Sequence, residues 1–275
     1  MDVFLRFLVF VLVFAFAQAA CNTSEEIVHG DATFYSWADV AAAGKGACGY
    51  DVTNVGYTME IAAIDSGRWD DSKSCGMCIE ITGPTGDTLE VIVVDQCMTC
   101  TDGSLDLSEK GFTAISGGKI GMAEITWKEI ECPVLRNVGF IYSFVYANEN
   151  ANAAFQMRIF NHLHKIRTVE RRHIFEGESA PWFELPRGSL GNFGVPREYR
   201  KLEKPFQMRI TSDVTGEVLT EEINKSPENG VRDLIEGKSA FTSLCPGSLS
   251  EASVIKPPWT FLLISSLLMY DVLIY

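Results

Sequence analysis

Cysteine placement sets the first limit on this chain. Cys75-x-x-Cys78 and Cys97-x-x-Cys100 are separated by a stretch that fits a zinc ribbon, and the chain holds eight cysteines in 275 residues. In a reducing cytosol that spacing would mean metal. The first twenty residues change the reading. MDVFLRFLVFVLVFAFAQAA carries Arg6, an unbroken apolar run from Phe7 to Ala17, and a small-x-small pattern at Ala17-Gln18-Ala19. Residues 1–20 thus have the form of a secretory signal peptide removed near Ala19 or Ala20, and the run is short for a membrane span. In an oxidising compartment paired thiols are disulfides more often than metal ligands. No spare His or Cys stands near enough in sequence to suggest an open catalytic zinc site. The expectation is an extracellular or cell-surface protein held by disulfides, with no metal and no cofactor. Zinc or redox thiols are the alternative.

With 47% apolar residues the chain can bury a real core, and its length favours two domains over one. The net charge of −13 is unevenly spread. Residues 21–133 carry 19 acidic against 6 basic side chains, whereas residues 136–213 carry 12 basic against 8 acidic. Two surfaces of opposite sign fit two domains, and the whole argues against nucleic acid as a partner. A basic second domain would tolerate acidic polymers.

Residues 24–133 read as all-β. Short alternating or apolar runs (DATFYSW, YTMEIAAI, CIEITG, DTLEVIVVD, MAEITWKEIEC) lie between glycine-rich turns such as GPTGD and ISGGKIG. One short helix is expected at LSEKGFTAI, with Asp106 or Ser108 as its N-cap. Residues 137–224 form a second β-rich region, where Phe206 to Thr211 alternates as a half-buried strand. Many short strands without helices make a sandwich. Residues 225–258 lose periodicity and read as a linker. The apolar tail at 259–275 resembles a GPI-attachment signal, with Ser250 as anchor site, or else a membrane anchor; Asp271 weakens both readings. Sequons stand at Asn22 and Asn224.

The chemistry concentrates in VVDQCMTCTDGSLDLS, Val93 to Ser108. Asp95 follows a run from Leu89 to Val94, apolar but for Glu90, that must be a buried strand, so the sheet places its carboxylate where a ligand can reach it. Asp106 lies between Leu105 and Leu107, which fix its direction. Two carboxyls placed this way suit carbohydrate chemistry, one protonating a glycosidic oxygen while the other organises water or hydroxyls. The plainer reading of Asp106 is a helix cap. Asp102 reads as solvated. His162 and His164, two apart in a basic loop, also read as solvated rather than as a metal pair.

The series HGDATFYSW, GACGY, SCGMCIEI, VVDQC and LDLSEKGF resembles, in order, the motifs of expansins and their fungal and bacterial relatives. The resemblance runs over residues 29–224, through FQMRIFNH, WFELP and FQMRITSDVTGEV. It implies a mainly β fold, a six-stranded double-psi β-barrel (24–133) followed by an immunoglobulin-like β-sandwich (137–224) of carbohydrate-binding type. It implies Thr33, Asp95 and Asp106 as site residues, with Tyr35 in contact with sugar. Asp106 takes the position essential for wall loosening, which matches the general acid of family-45 glycoside hydrolases. The base of those hydrolases is replaced here by Trp37, which cannot accept a proton. Asp39 keeps hydrolysis as an alternative. Bridges Cys48–Cys75 and Cys78–Cys132 are implied, with Cys97–Cys100 as a tight local loop and Cys21 and Cys245 left over. A sugar-contacting tyrosine of bacterial relatives is Cys97 here.

The family's row of three cellulose-binding aromatics falls near Ala151, Asn152 and Leu190, none of them aromatic. Trp182, Phe193 and Tyr199 are the candidates for a displaced platform; the alternative makes Trp182 core and the other two loop anchors. The expected protein is a secreted monomer. It would bind plant-type or microbial wall polysaccharide (cellulose, xyloglucan or an acidic glycan) and loosen it without hydrolysis. A family-45-like endoglucanase and a barwin-like surface binding protein are the rival readings.

Overall fold

The computed structural model describes residues 23–36, 46–50, 59–135, 138–146, 155–173, 180–194, 205–224 and 234–245. The expectations for the signal peptide, Trp37, Asp39, Ala151, Asn152, Tyr199, Ser250 and the apolar tail lie outside these residues.

Six strands close a barrel: β1 (Val28–Tyr35), β2 (Glu60–Asp65), β3 (Cys78–Thr82), β4 (Thr88–Cys97), β5 (Leu105–Ser108) and β6 (Ala123–Ile130), in the spatial order β1-β5-β2-β4-β3-β6. This is the double-psi barrel. Its pairs β1/β5 and β2/β4 are parallel, and the rest are antiparallel. Alternation supplies the core: Val28 and Ala32 of β1, Leu105 and Leu107 of β5, and Ile125 and Trp127 of β6 point inward and are buried. Residues 29, 31, 33 and 35 of β1 therefore face outward. The loop before β5 crosses β1 so closely that a Cβ on Gly30 would lie 2.2 Å from the Gly103 carbonyl oxygen. Only glycine fits there.

Helix α1 (Glu109–Ile115) follows β5 directly. Ser108 is its N-cap, its hydroxyl accepting from the Gly111 N–H at 3.1 Å while donating to Glu60 Oε2 at 2.6 Å. The cap is thus tied to β2, and the helix buries Phe112 and Ile115 against the barrel. Ser108→Ala should cost about 1–2 kcal/mol, read as a shift of the urea unfolding midpoint with unchanged slope.

The second region is a sandwich of two four-stranded sheets. One has the order β10-β9-β12-β13, from β9 (Ile166–His173), β10 (Phe183–Glu184), β12 (Phe206–Ser212) and β13 (Val218–Ile223). The other, β11-β8-β7-β14, uses β7 (Ile141–Tyr146), β8 (Phe155–Phe160), β11 (Phe193–Gly194) and β14 (Leu234–Glu236). Phe140, Tyr142, Phe144, Met157, Phe206 and Met208 are among the side chains filling the space between. β14 lies in the stretch expected as linker, and Phe241 beyond it is also core. Three edge residues carry too little pattern to reveal a strand whose partner, β7, is some 90 residues away.

Barrel and sandwich meet over a polar seam. His162 and His164 are buried there, not solvated, because the loop between β8 and β9 folds back onto the barrel. His164 Nε2 donates to Glu131 Oε1 at 2.9 Å, and His162 Nε2 lies 3.5 Å from the Tyr50 hydroxyl. Cys132 N–H donates to the Leu163 carbonyl at 3.0 Å, and Arg158 Nε to the Cys48 carbonyl at 3.1 Å.

Candidate functional site

One row of residues crosses four neighbouring strands on the outer face of the barrel. The register sets Thr33 (β1) beside Asp106 (β5), Asp106 beside Ala63 (β2), and Ala63 beside Asp95 (β4). Each step is about 4.8 Å, so the aspartate Cα atoms stand roughly 10 Å apart with a single methyl group between them. Ala63 is the small floor that lets two carboxylates share one groove.

Asp95 reaches this row through a backbone irregularity. β2 and β4 pair in step as far as Ala62 and Val93, then slip so that Ala63 meets Asp95 instead of Val94. Such a bulge re-aims the next side chain. The Val94 carbonyl accepts from the Cys48 N–H at 3.1 Å, and Asp95 Oδ1 accepts from the N–H groups of Ala47 (2.6 Å) and Gln96 (2.8 Å). Gly46, at φ +67°, makes that approach possible, since a Cβ there would sit 2.8 Å from the Val94 oxygen.

Asp106 is half-buried, and Ser108 takes the capping role that Asp106 could have had. Thr33 Oγ1 donates to Asp106 Oδ1 at 2.7 Å. Burial raises the Asp106 pKa, the Thr33 hydrogen bond opposes it, and the negative charge of Asp95 adds to the rise. Its carboxyl keeps a proton to higher pH than an ordinary aspartate. Tyr35 lies on the same face of β1 as Thr33. Burial first, then the charges of Asp95 and Asp106, drive its pKa far above the usual phenol value, so it stays protonated. The groove therefore offers a carboxyl able to donate or accept, a fixed carboxylate, a hydroxyl and a phenol. That set matches a polyhydroxylated ligand.

Both Cys-x-x-Cys pairs are in disulfides: Cys48–Cys75, Cys78–Cys132 and Cys97–Cys100. These sulfurs are not available as thiolate ligands, and among the described residues no group of three or more His, Cys, Asp or Glu could hold a metal ion. Cys245 is also disulfide-bonded. Cys97 and Cys100 close the turn that follows Asp95. Asp102, in the same loop, is exposed and ion-paired with Arg68.

The sandwich does not bring its candidate aromatics together. Phe193 is 3% exposed in the core, under the Arg187 guanidinium at 4.5 Å. Trp182 is half-buried on the outer side of the other sheet, with the guanidinium carbons of Arg172 and Arg209 at 4.7 and 4.5 Å from its ring. A platform shared by these two is ruled out because they occupy different sheets. Leu190 is exposed. Sequence reasoning missed Ala63 and the Val94 slip, since a small residue in an apolar run and a one-residue bulge leave no local pattern.

No family model matches the chain. Expansin-A26 of Oryza sativa subsp. japonica is 31% identical over 121 residues, 42% of this chain and 41% of that protein. Expansin-like protein 2 of Dictyostelium discoideum is 34% identical over 125 residues, 42% of this chain and 30% of that protein. The chain thus spans less than half the length of these relatives. Expansin-YoaJ of Bacillus subtilis (strain 168) is 25% identical over 227 residues, covering 81% of this chain and 89% of that protein. The crystal structure of the apo Clavibacter michiganensis expansin matches the fold with a TM-score of 0.64 at 23% identity, over 80% of this chain and all of that one. A mutant of the same expansin in complex with cellohexaose gives 0.65. The fold defines a double-psi barrel joined to a β-sandwich. In sequence the chain is similar to these expansins, and in fold to the Clavibacter michiganensis one.

Proposed function

We propose that this chain is an extracellular protein that binds wall polysaccharide in the barrel groove and loosens it without net hydrolysis. The observation that carries the reading is the row Thr33–Asp106–Ala63–Asp95, with Thr33 bonded to Asp106 at 2.7 Å. The bound cellohexaose of the Clavibacter michiganensis mutant supports a β-glucan oligomer as ligand class. Asp106 donates to or accepts from the glycan, Asp95 positions it, and Thr33 bridges to Asp106. Loading heat-inactivated wall strips with the full chain should produce extension, and Asp106→Asn should return it to background. Extension should also weaken as pH rises through the elevated pKa of Asp106, because the protonated carboxyl is the donor. An Asp106→Asn protein that extends walls like the parent sinks the reading.

The raised Asp106 pKa also suits a general acid, which favours residual endoglucanase activity as the second reading. Reducing ends released from soluble β-glucan by the parent and not by Asp106→Asn would establish it. Polysaccharide pull-down that survives loss of both aspartates would instead mark a purely adhesive protein.

A further inference from the structure

Asp31 stands on the outer face of β1, two residues before Thr33, with Ser104 beside it just ahead of β5. Strand geometry puts its Cα about 6.7 Å from that of Thr33 and roughly 8 Å, on the diagonal, from that of Asp106. Across the other edge of β1 it faces Glu124 directly. This is a poor place for a carboxylate on structural grounds. Aspartate is a weak strand former, and like charges directly opposite each other in an antiparallel pair repel. The backbone at Asp31 is well held, its N–H donating to Ser104 Oγ at 3.0 Å, and Ser104 is linked to Thr101 at 2.9 Å. The carboxylate is not: among the described residues no hydrogen bond or ion pair engages it. A half-buried charge that breaks the local rules without compensation belongs where function keeps it.

We infer that Asp31 is a further glycan-contacting carboxylate, accepting hydroxyl hydrogen bonds beside the Thr33 end of the row. The inference rests on the groove being a polysaccharide site. Titration calorimetry of the full chain with cellohexaose tests it, using Asp31→Asn, Asp106→Asn and Glu124→Gln beside the parent. Asp31→Asn should bind roughly tenfold more weakly, the cost of a hydrogen bond to a charged group. Its melting temperature should hold or rise, because repulsion with Glu124 is relieved. Glu124→Gln should raise the melting temperature and leave affinity within about twofold of the parent. Parent-like affinity in Asp31→Asn, with affinity lost in Asp106→Asn, overturns the role of Asp31 and leaves the groove reading intact. A melting temperature that falls together with affinity assigns Asp31 a structural role and overturns it too. No binding by the parent removes the groove reading and this inference with it.

Discussion

Glu131→Ala is expected to destabilise the folded chain by about 2–3 kcal/mol, a large share of a marginal protein's stability. The carboxylate is almost fully buried where the barrel meets the sandwich. Its Oε1 accepts from His164 Nε2 (2.9 Å) and the Leu244 N–H (2.6 Å), and its Oε2 accepts from Ser243 Oγ (2.6 Å). The other ring nitrogen of His164 meets Ser212 Oγ at 3.2 Å, which itself accepts from the N–H groups of Val214 and Thr215. Removing the carboxylate therefore strands the buried His164 donor, while those of Ser243 and Leu244, at the half-buried rim of the seam, are left to water. Glu131→Gln keeps Oε1 and the side-chain volume, and Ser243 can rotate to accept from the new amide, so it should cost only about 1 kcal/mol. Guanidinium unfolding of both variants separates the outcomes. Equal losses would mean that shape, not hydrogen bonding, holds the seam.

Stability should also fall by about 3 kcal/mol between neutral pH and pH 4 through one side chain, His162. Its ring is wholly buried, and its pKa is pushed down to about 4. Burial is the chief cause; the backbone hydrogen bond to the His164 carbonyl opposes it, and the nearby Arg187 and His164 lower it further. The unfolded chain takes up this proton near the ordinary histidine pKa, the folded chain only near 4. Between those values acid favours the unfolded state, and below 4 the contribution is constant. The facing groups are the Tyr50 hydroxyl at 3.5 Å and the His164 carbonyl at 2.9 Å, and a Cβ on Gly76 would reach within 2.7 Å of the ring. Paired unfolding curves at pH 7 and pH 4.5 for the parent and His162→Gln would show it. A parent slope no steeper than the variant's would count against it.

How much of this could be read from the chain depends on the range of the interactions. The cap at Ser108 was one of two candidates, and settling it needed only the Gly111 N–H three residues away. The alternation of β1 and β6 follows from their own residues. Asp95 was legible as a strand-end carboxylate, because the run from Leu89 to Val94, apolar but for Glu90, announces its strand. Its aim was not legible. Val91 to Val94 are all buried, so no polar residue breaks the run to mark where one residue is surplus. His162 and His164 were misread for a related reason. Their partners Tyr50 and Glu131 lie 112 and 33 residues away, on strands and loops of the other fold unit. Phe193 stood as a candidate for the platform or a loop anchor, and two strand residues give too short a pattern to show which side faces the core.

The slip at Val94 bears on how such a chain can vary over generations. Exchanges among apolar residues within Val91 to Val94 leave the strand's phase untouched and the groove in place. Loss or gain of one residue there would swing Asp95 to the opposite face of the sheet, because side chains alternate with a period of two. The groove is therefore guarded less by the identity of those four residues than by their number.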